Sequence, residues 1–138
     1  MKVFIDTNIF LDLILKREYY KEAMLIFNAI EKQLFIGYIA DITILNINYI
    51  AKKQNKNIKE FLSILNQTFI INGASNDMIA QALKIQNNDL EDNIQYLIAK
   101  QNNCNIIITN NQNFYSKDIK TVNSIEFKQR YITPFTNS

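Results

Sequence analysis

The chain has 138 residues, enough for one domain with a substantial core, and it contains no His and a single Cys, Cys104. A His-dependent triad, a zinc centre of Cys/His type and an internal disulfide are thereby excluded, and two Gly leave no glycine-rich phosphate loop. A net charge of +2 is compatible with a polyanionic partner without arguing for one. Cys104, between polar residues and the run Ile106-Ile107-Ile108, reads as a small core residue. Catalysis is left to carboxylates, Lys, Tyr, Ser or Thr, with an oxygen-liganded metal as the natural cofactor. No apolar run approaches transmembrane length and no leader precedes Val3, so a cytoplasmic protein with no membrane association is expected.

In chain order, Val3-Phe4-Ile5 reads as a short buried strand. Thr7 and Asn8 offer side-chain oxygens for a helix start, and the helix runs from Ile9 to Leu15 with Asp12 on its path. Asp6 therefore stands at the carboxyl end of a strand, the edge where open α/β sheets bind ligands. The competing reading is that Asp6 only caps the helix. Tyr20, Ala23, Met24, Phe27 and Ile30 recur at helical spacing over 19–33. Residues 34–40 form a second buried strand, with Gly37 marking a bend. Asp41 or Thr43 starts a third helix whose apolar stripe is Ile44, Leu45, Ile47, Ile50 and Ala51. It leads into the polar turn Lys52-Lys53-Gln54-Asn55-Lys56.

A helix over 58–66 and a strand over 68–71 follow, then the turn Asn72-Gly73. Ser75 or Asn76 caps a helix through Ile85. Asp89 opens the next, with Leu90, Ile94, Leu97 and Ile98 inward. Residues 105–109 are the clearest central strand, 110–117 a polar loop, and 119–122 a short strand. Ser124 caps a last helix that Pro134 ends. Strands alternating with helices predict a three-layer α/β sandwich, a parallel sheet flanked by helices, in one domain over 1–138.

Asp89, Glu91 and Asp92 cluster at one helix start, and Asp89 and Asp92 share a face. Acids in a first turn complement the helix dipole, so each alone has an ordinary explanation. Two on one face together with a strand-end Asp point to a cation, because close like charges are unfavourable without one. Three carboxylates suit Mg²⁺ or Mn²⁺. Such an ion activates water and neutralises charge on a phosphoryl group. Lys52, Lys53, Lys56 and Lys59 read either as phosphate contacts or as a solvated turn. Arg17 follows the first helix near the acidic edge.

Four segments in order resemble the signatures of the PIN domain family. They are Asp6-Thr7-Asn8 after a strand, Asn46-Ile47-Asn48-Tyr49-Ile50 on the third helix, Asp89-Leu90-Glu91-Asp92 opening a helix, and Ile107-Ile108-Thr109-Asn110-Asn111-Gln112-Asn113-Phe114. Together they span essentially the whole chain. The resemblance implies a PIN-like sandwich and a metal-dependent endoribonuclease that hydrolyses RNA with a metal-activated water. As in the VapC group, it also implies the toxin of a toxin–antitoxin pair, with an antitoxin protein as partner. The expected Mg²⁺ or Mn²⁺ site comprises Asp6, Asp89 and Asp92, with Asn46 and Asn111 or Asn113 at its edge, supported by Asn8, Thr109 and Glu91.

The chain departs from the family at Asn46, where Glu is usual, and in the loop after the late strand, where an acid is usual at the place of Asn111 or Asn113 and both are Asn here. Asn is a neutral oxygen ligand, so metal affinity should fall. The alternative function is accordingly a weakened PIN domain that binds RNA or a protein. A phospho-aspartate receiver-like domain would need an early acid pair and a late Lys, and neither is evident. Thr109 reads equally as a hydroxyl that holds an acid or a water and as a β-branched strand residue. Tyr20, Phe27, Tyr49 and Ile50 give the helices at 19–33 and 41–51 more apolar surface than one sheet face needs, which points to a homodimer.

Overall fold

The computed structural model describes residues 1–54 and 56–136. Asn55, in the polar turn, lies outside them. The elements follow as β1 (Lys2–Ile5), α1 (Thr7–Ile14), α2 (Tyr20–Glu31), β2 (Ile36–Ala40), α3 (Asp41–Lys53), α4 (Lys59–Thr68) and β3 (Ile70–Asn72). They continue as α5 (Asn76–Lys84), α6 (Leu90–Gln101), β4 (Ile106–Ile108), β5 (Lys120–Val122), α7 (Ser124–Phe127), a wide π-type turn over Lys128–Ile132, and α8 (Thr133–Thr136). Each expected strand is present within two residues of its expected bounds.

All five strands are parallel, in the order β3-β2-β1-β4-β5. The chain builds outward from β1 through β2 and β3, then crosses back to lay β4 on the other side of β1. The carboxyl ends of β1 and β4 therefore flank the point where strand order reverses, the usual ligand crevice of such a sheet. The junction is tight: the Asp6 N–H donates to the Ile108 carbonyl at 3.0 Å, and the Thr109 N–H donates to Val122 at 2.9 Å.

Strand alternation builds two cores. Val3, Ile5, Ile39, Ile106 and Ile108 pack with Ile9, Phe10, Ile26, Ile47, Leu65 and Phe127 of the helices on one face. Phe4, Tyr38 and Ile107 pack with Met78 of α5 and Tyr96, Ile98 and Ala99 of α6 on the other. Successive strand residues point to opposite faces, so an apolar run is buried on both. Three helices end on a residue with left-handed backbone, Lys16, Gln33 and Asn103. In each case the next N–H reaches back five residues, to Asp12, Ala29 and Ala99 respectively. No helix of the described residues is long and apolar enough to cross a membrane.

Several expectations are corrected. Gly37 makes no bend: it sits in regular β2 opposite Val3. There a Cβ would lie 2.6 Å from two Phe69 ring carbons and 2.8 Å from Ile30 Cγ2. Leu45 and Leu90 are exposed, because Thr43, Ile47 and Ala51 form the buried stripe of α3 while α6 turns polar residues inward. Asn123, not Ser124, caps α7, accepting from the Glu126 N–H at 2.8 Å. Pro134 lies in the first turn of α8, where its missing N–H has no intrahelical partner to lose. Phe27 is partly buried between Phe61 and Phe69, and Ile50 packs on the same core. The apolar side chains that α2 and α3 do expose are Met24, Leu25, Leu45 and Tyr49. Gly37→Ala is expected to cost about 1–3 kcal/mol by overpacking. Urea unfolding should show this as a lower midpoint at unchanged slope.

Candidate active site

Asp6 is the N-cap residue of α1 but makes no side-chain cap bond. The residue is 1% exposed, and its carboxylate turns into the fold. Oδ2 accepts from the Thr109 hydroxyl at 2.8 Å and Oδ1 from Gln95 Nε2 at 3.2 Å. Burial raises the Asp6 pKa, the two donors act against it, and the Glu91 charge adds to the rise. Thr109 thus reaches Asp6 through its hydroxyl, from the first residue past β4.

The α6 helix supplies the second wall. Asp89 is its cap, and Asp89 Oδ1 accepts from the Asp92 N–H at 3.0 Å. Cap geometry keeps Asp89 at the exposed mouth, whereas Asp92, one turn in, is buried. The Asp92 pKa is pushed up to about 7, first by burial and then by the charges of Asp6, Asp89 and Glu91. Asp92 Oδ2 accepts from Asn111 Nδ2 at 2.9 Å. Asn111 is fixed in that orientation, since its Oδ1 accepts the Asn113 N–H at 3.0 Å and its own N–H donates to Thr109 Oγ1 at 3.1 Å. The Asn113 side chain is exposed and contributes to the site only through this backbone bond.

Glu91 faces α3. Its Oε1 accepts from Asn46 Nδ2 at 2.7 Å and from the Thr7 hydroxyl at 3.3 Å. The Thr7 hydroxyl also meets Thr43 Oγ1 at 2.8 Å, which locks the start of α1 against α3. The resulting cleft of about 360 Å³ is walled by Asp6, Asp92, Glu91, Asn46 and Asn111, with Asp89, Asn8 and Tyr49 at its mouth. The donor set is rich in carboxylate and amide oxygen, the chemistry hard divalent cations prefer. In the present side-chain arrangement, no three acids among the described residues are grouped closely enough to hold an ion by themselves. Two amide NH₂ groups, from Asn46 and Asn111, face the acids instead.

Two contributors escaped the sequence reading. Gln95 is fully buried, and its Oε1 is a buried side-chain polar atom with no partner among the described residues. Such an atom costs about 1–3 kcal/mol. Its position three after Asp92 on one helix face was the available signal. Asn110 ties the loop to both flanks: Nδ2 donates to Asp12 at 3.1 Å, and Oδ1 accepts from the Ser124 N–H and hydroxyl.

The raised Asp92 pKa sets a direction for stability. The folded state holds the Asp92 proton up to about pH 7, whereas the unfolded chain releases it near the ordinary Asp value of 3.8. The benefit of the protonated form is complete below pH 3.8 and is lost as pH rises through 7. Asp92→Asn is therefore expected to melt at a higher temperature than the parent at pH 8 in chelator, with the difference shrinking toward pH 4. Equal melting temperatures at pH 8 would contradict this electrostatic account.

Comparison with known proteins places this geometry. Over 143 residues the chain is 31% identical to Ribonuclease VapC1 of Aquifex aeolicus (strain VF5), covering 96% of each chain. Its fold is similar to that of a chain in the crystal structure of VapBC2 from Rickettsia felis bound to a DNA fragment from their promoter. The TM-score is 0.59 at 18% identity, over 89% of this chain and 98% of that one. A model of the PIN domain matches residues 2–113, which holds β1, β4 and every residue of the cleft, and the chain belongs to the PIN domain family.

Proposed function

We propose that the protein is a Mg²⁺- or Mn²⁺-dependent endoribonuclease that hydrolyses RNA phosphodiesters, acting as the toxin of a toxin–antitoxin pair. One observation carries the catalytic part. Asp6 and Asp92 come from elements 86 positions apart and are buried at one sheet edge, where the Asp6 charge adds to the cost of ionising Asp92 and the Glu91 charge adds to that of Asp6. Nearby donors are neutral amides and hydroxyls, and among the described residues no ion pair balances either carboxylate. Asp6 and Asp92 would hold the ion, with Glu91 adjoining. An ion there is content with one or two carboxylates, waters and a substrate phosphate. When bound, it lowers the pKa of water and neutralises phosphoryl charge.

The chain's own groups do the positioning. Thr109 and Gln95 fix the rotamer of Asp6, Asn111 fixes Asp92, and Thr7 with Asn46 holds Glu91 at the wall. The similarity to Ribonuclease VapC1 over nearly the full length of both chains supports the RNA substrate. The fold shared with a VapBC2 structure supports an antitoxin partner. The expected homodimer would bury Met24, Leu25 and Leu45, and light scattering at micromolar concentration tests it.

A second reading is favoured by the amide orientations. Asn46 and Asn111 present N–H groups where a metal site would gain from oxygen, which suits a weakened domain that binds RNA or protein. Single-turnover cleavage of a generic RNA and calorimetric Mn²⁺ titration separate the two. Asp6→Asn and Asp92→Asn are expected to abolish cleavage, and chelator to do the same. Asp89→Asn should do less harm, because Asp89 caps the helix at the exposed mouth. Gln95→Leu should lose about 10- to 100-fold in activity or Mn²⁺ affinity, as removal of a group that orients a ligand does. Asn46→Asp should melt lower in chelator, where it faces Glu91, and gain more than the parent from added Mn²⁺. Cleavage that survives Asp6→Asn would remove this cleft from consideration. A parent that neither binds Mn²⁺ nor cuts, and that Asn46→Asp does not rescue, leaves the binding-module reading.

A further inference from the structure

The α3 helix leads out of the acid cleft. Asn46 stands against Glu91 in the wall, Tyr49 comes three residues later and Lys53 four after that, a spacing that lines the three side chains along one helix face. Tyr49 borders the cleft and yet is 58% exposed. The Lys53 ammonium lies over its ring, 4.6 Å from the centroid. Lys56 follows, donating to the Ile14 carbonyl at 3.2 Å where α1 ends. Among the described residues, the three salt bridges involve none of Lys52, Lys53, Lys56 and Lys59. The Arg17 guanidinium, which follows α1, is 3.9 Å from Asp12. Lysines in a last turn complement the helix dipole, which accounts for Lys52 and Lys53 as charges. It does not account for an exposed aromatic ring between them and the acids.

RNA entering a cleft walled by Asp6, Asp89, Glu91 and Asp92 carries phosphates on either side of the one being cut. These meet negative charge unless nearby cations offset it. Lys53 and its neighbours have no acidic partner among the described residues, whereas Arg17 is within reach of Asp12. An aromatic ring beside a lysine is how proteins hold a single strand without reading its sequence: the base stacks and the cation tracks the backbone. Resting on the ribonuclease reading of the cleft, we propose that Tyr49 and Lys53 form a substrate subsite on α3. Tyr49 stacks a base next to the scissile phosphodiester, and Lys53 neutralises the adjoining phosphate. The strand leaves the cleft toward Lys56. It is unpaired there, since a base within a duplex cannot stack on a side chain.

The test is fluorescence anisotropy of a labelled single-stranded RNA oligonucleotide on the uncleaving Asp6→Asn protein, in Mg²⁺, over a salt series. Tyr49→Ala should weaken binding about tenfold, while Tyr49→Phe stays within about twofold, because stacking needs the ring and not the hydroxyl. Lys53→Gln should weaken binding and reduce the slope of log affinity against log salt by about 0.7. In the cleaving parent background, Tyr49→Ala should raise KM more than it lowers kcat. A Tyr49→Ala protein that binds RNA like its parent overturns the subsite, and so does a Tyr49→Phe protein as weak as Tyr49→Ala. If Tyr49→Ala keeps RNA affinity but changes the mass by light scattering, the ring is a protein contact and the proposal fails. Tyr49-dependent binding by a chain whose parent never cuts keeps the subsite and overturns the ribonuclease reading, so the two failures are told apart.

Discussion

The working edge of this protein is organised around a carboxylate that the fold buries, Asp6. Removing a carboxylate from water is expensive unless donors replace the water, and here a hydroxyl from the end of β4 and an amide from the middle of α6 do so. Those two bonds join the three segments that meet at the reversal of strand order. The backbone repeats the connection, since the Asp6 N–H is bonded to Ile108. Asp6 is thus held through both carboxylate oxygens and its own N–H, and its direction into the cleft is set before any ligand arrives.

The rest of the site extends that logic with neutral donors. Asn111 satisfies Asp92 while the Asn113 N–H holds the Asn111 carbonyl, so the amide has no other way to turn. Asn46 and Thr7 do the same for Glu91. Each donor lowers the penalty of a buried acid without cancelling its charge, and Asp92 keeps a pKa of about 7. A cleft held in this way is kept in shape by hydrogen bonds but remains electrostatically short of a cation. A site with more acids would hold an ion more tightly and would repel itself more when empty.

Packing farther out keeps the loop after β4 in register. The Tyr96 hydroxyl donates to Asp118, Lys100 pairs with the same carboxylate at 2.9 Å, and Tyr96 meets Tyr115 edge to face. Phe114 is buried on the same side of the sheet. Asn110 secures the loop's other flank to α1 and α7. The loop carrying Thr109 and Asn111 is therefore fastened on both sides, which keeps the Asp6 and Asp92 bonds in place.

By itself, the sequence determined the strands, their alternation with helices and the parallel three-layer arrangement, because Val3-Phe4-Ile5 and Ile106-Ile107-Ile108 are apolar on both faces and Gly and Pro are scarce. It also determined that Asp6 and Asp89 lie at element junctions and Asp92 in the first turn that follows, since caps and strand ends are local features. Only the tertiary structure decided which of these acids are buried together: Asp89 is kept at the mouth by its cap geometry, while Asp92 turns in. It alone revealed Gln95, whose role depends on a partner 89 positions away. It alone oriented Asn46 and Asn111 as donors, and it left Asn113 outside. Periodicity placed Ile94, Leu97 and Ile98 of α6 toward the core correctly, but it put the exposed Leu90 there and missed the polar part of the buried face. There Asp92, Asn93 and Gln95 are buried: Asn93 bonds to the preceding turn and α5, and Asp92 and Gln95 are held by long-range hydrogen bonds that no local pattern encodes.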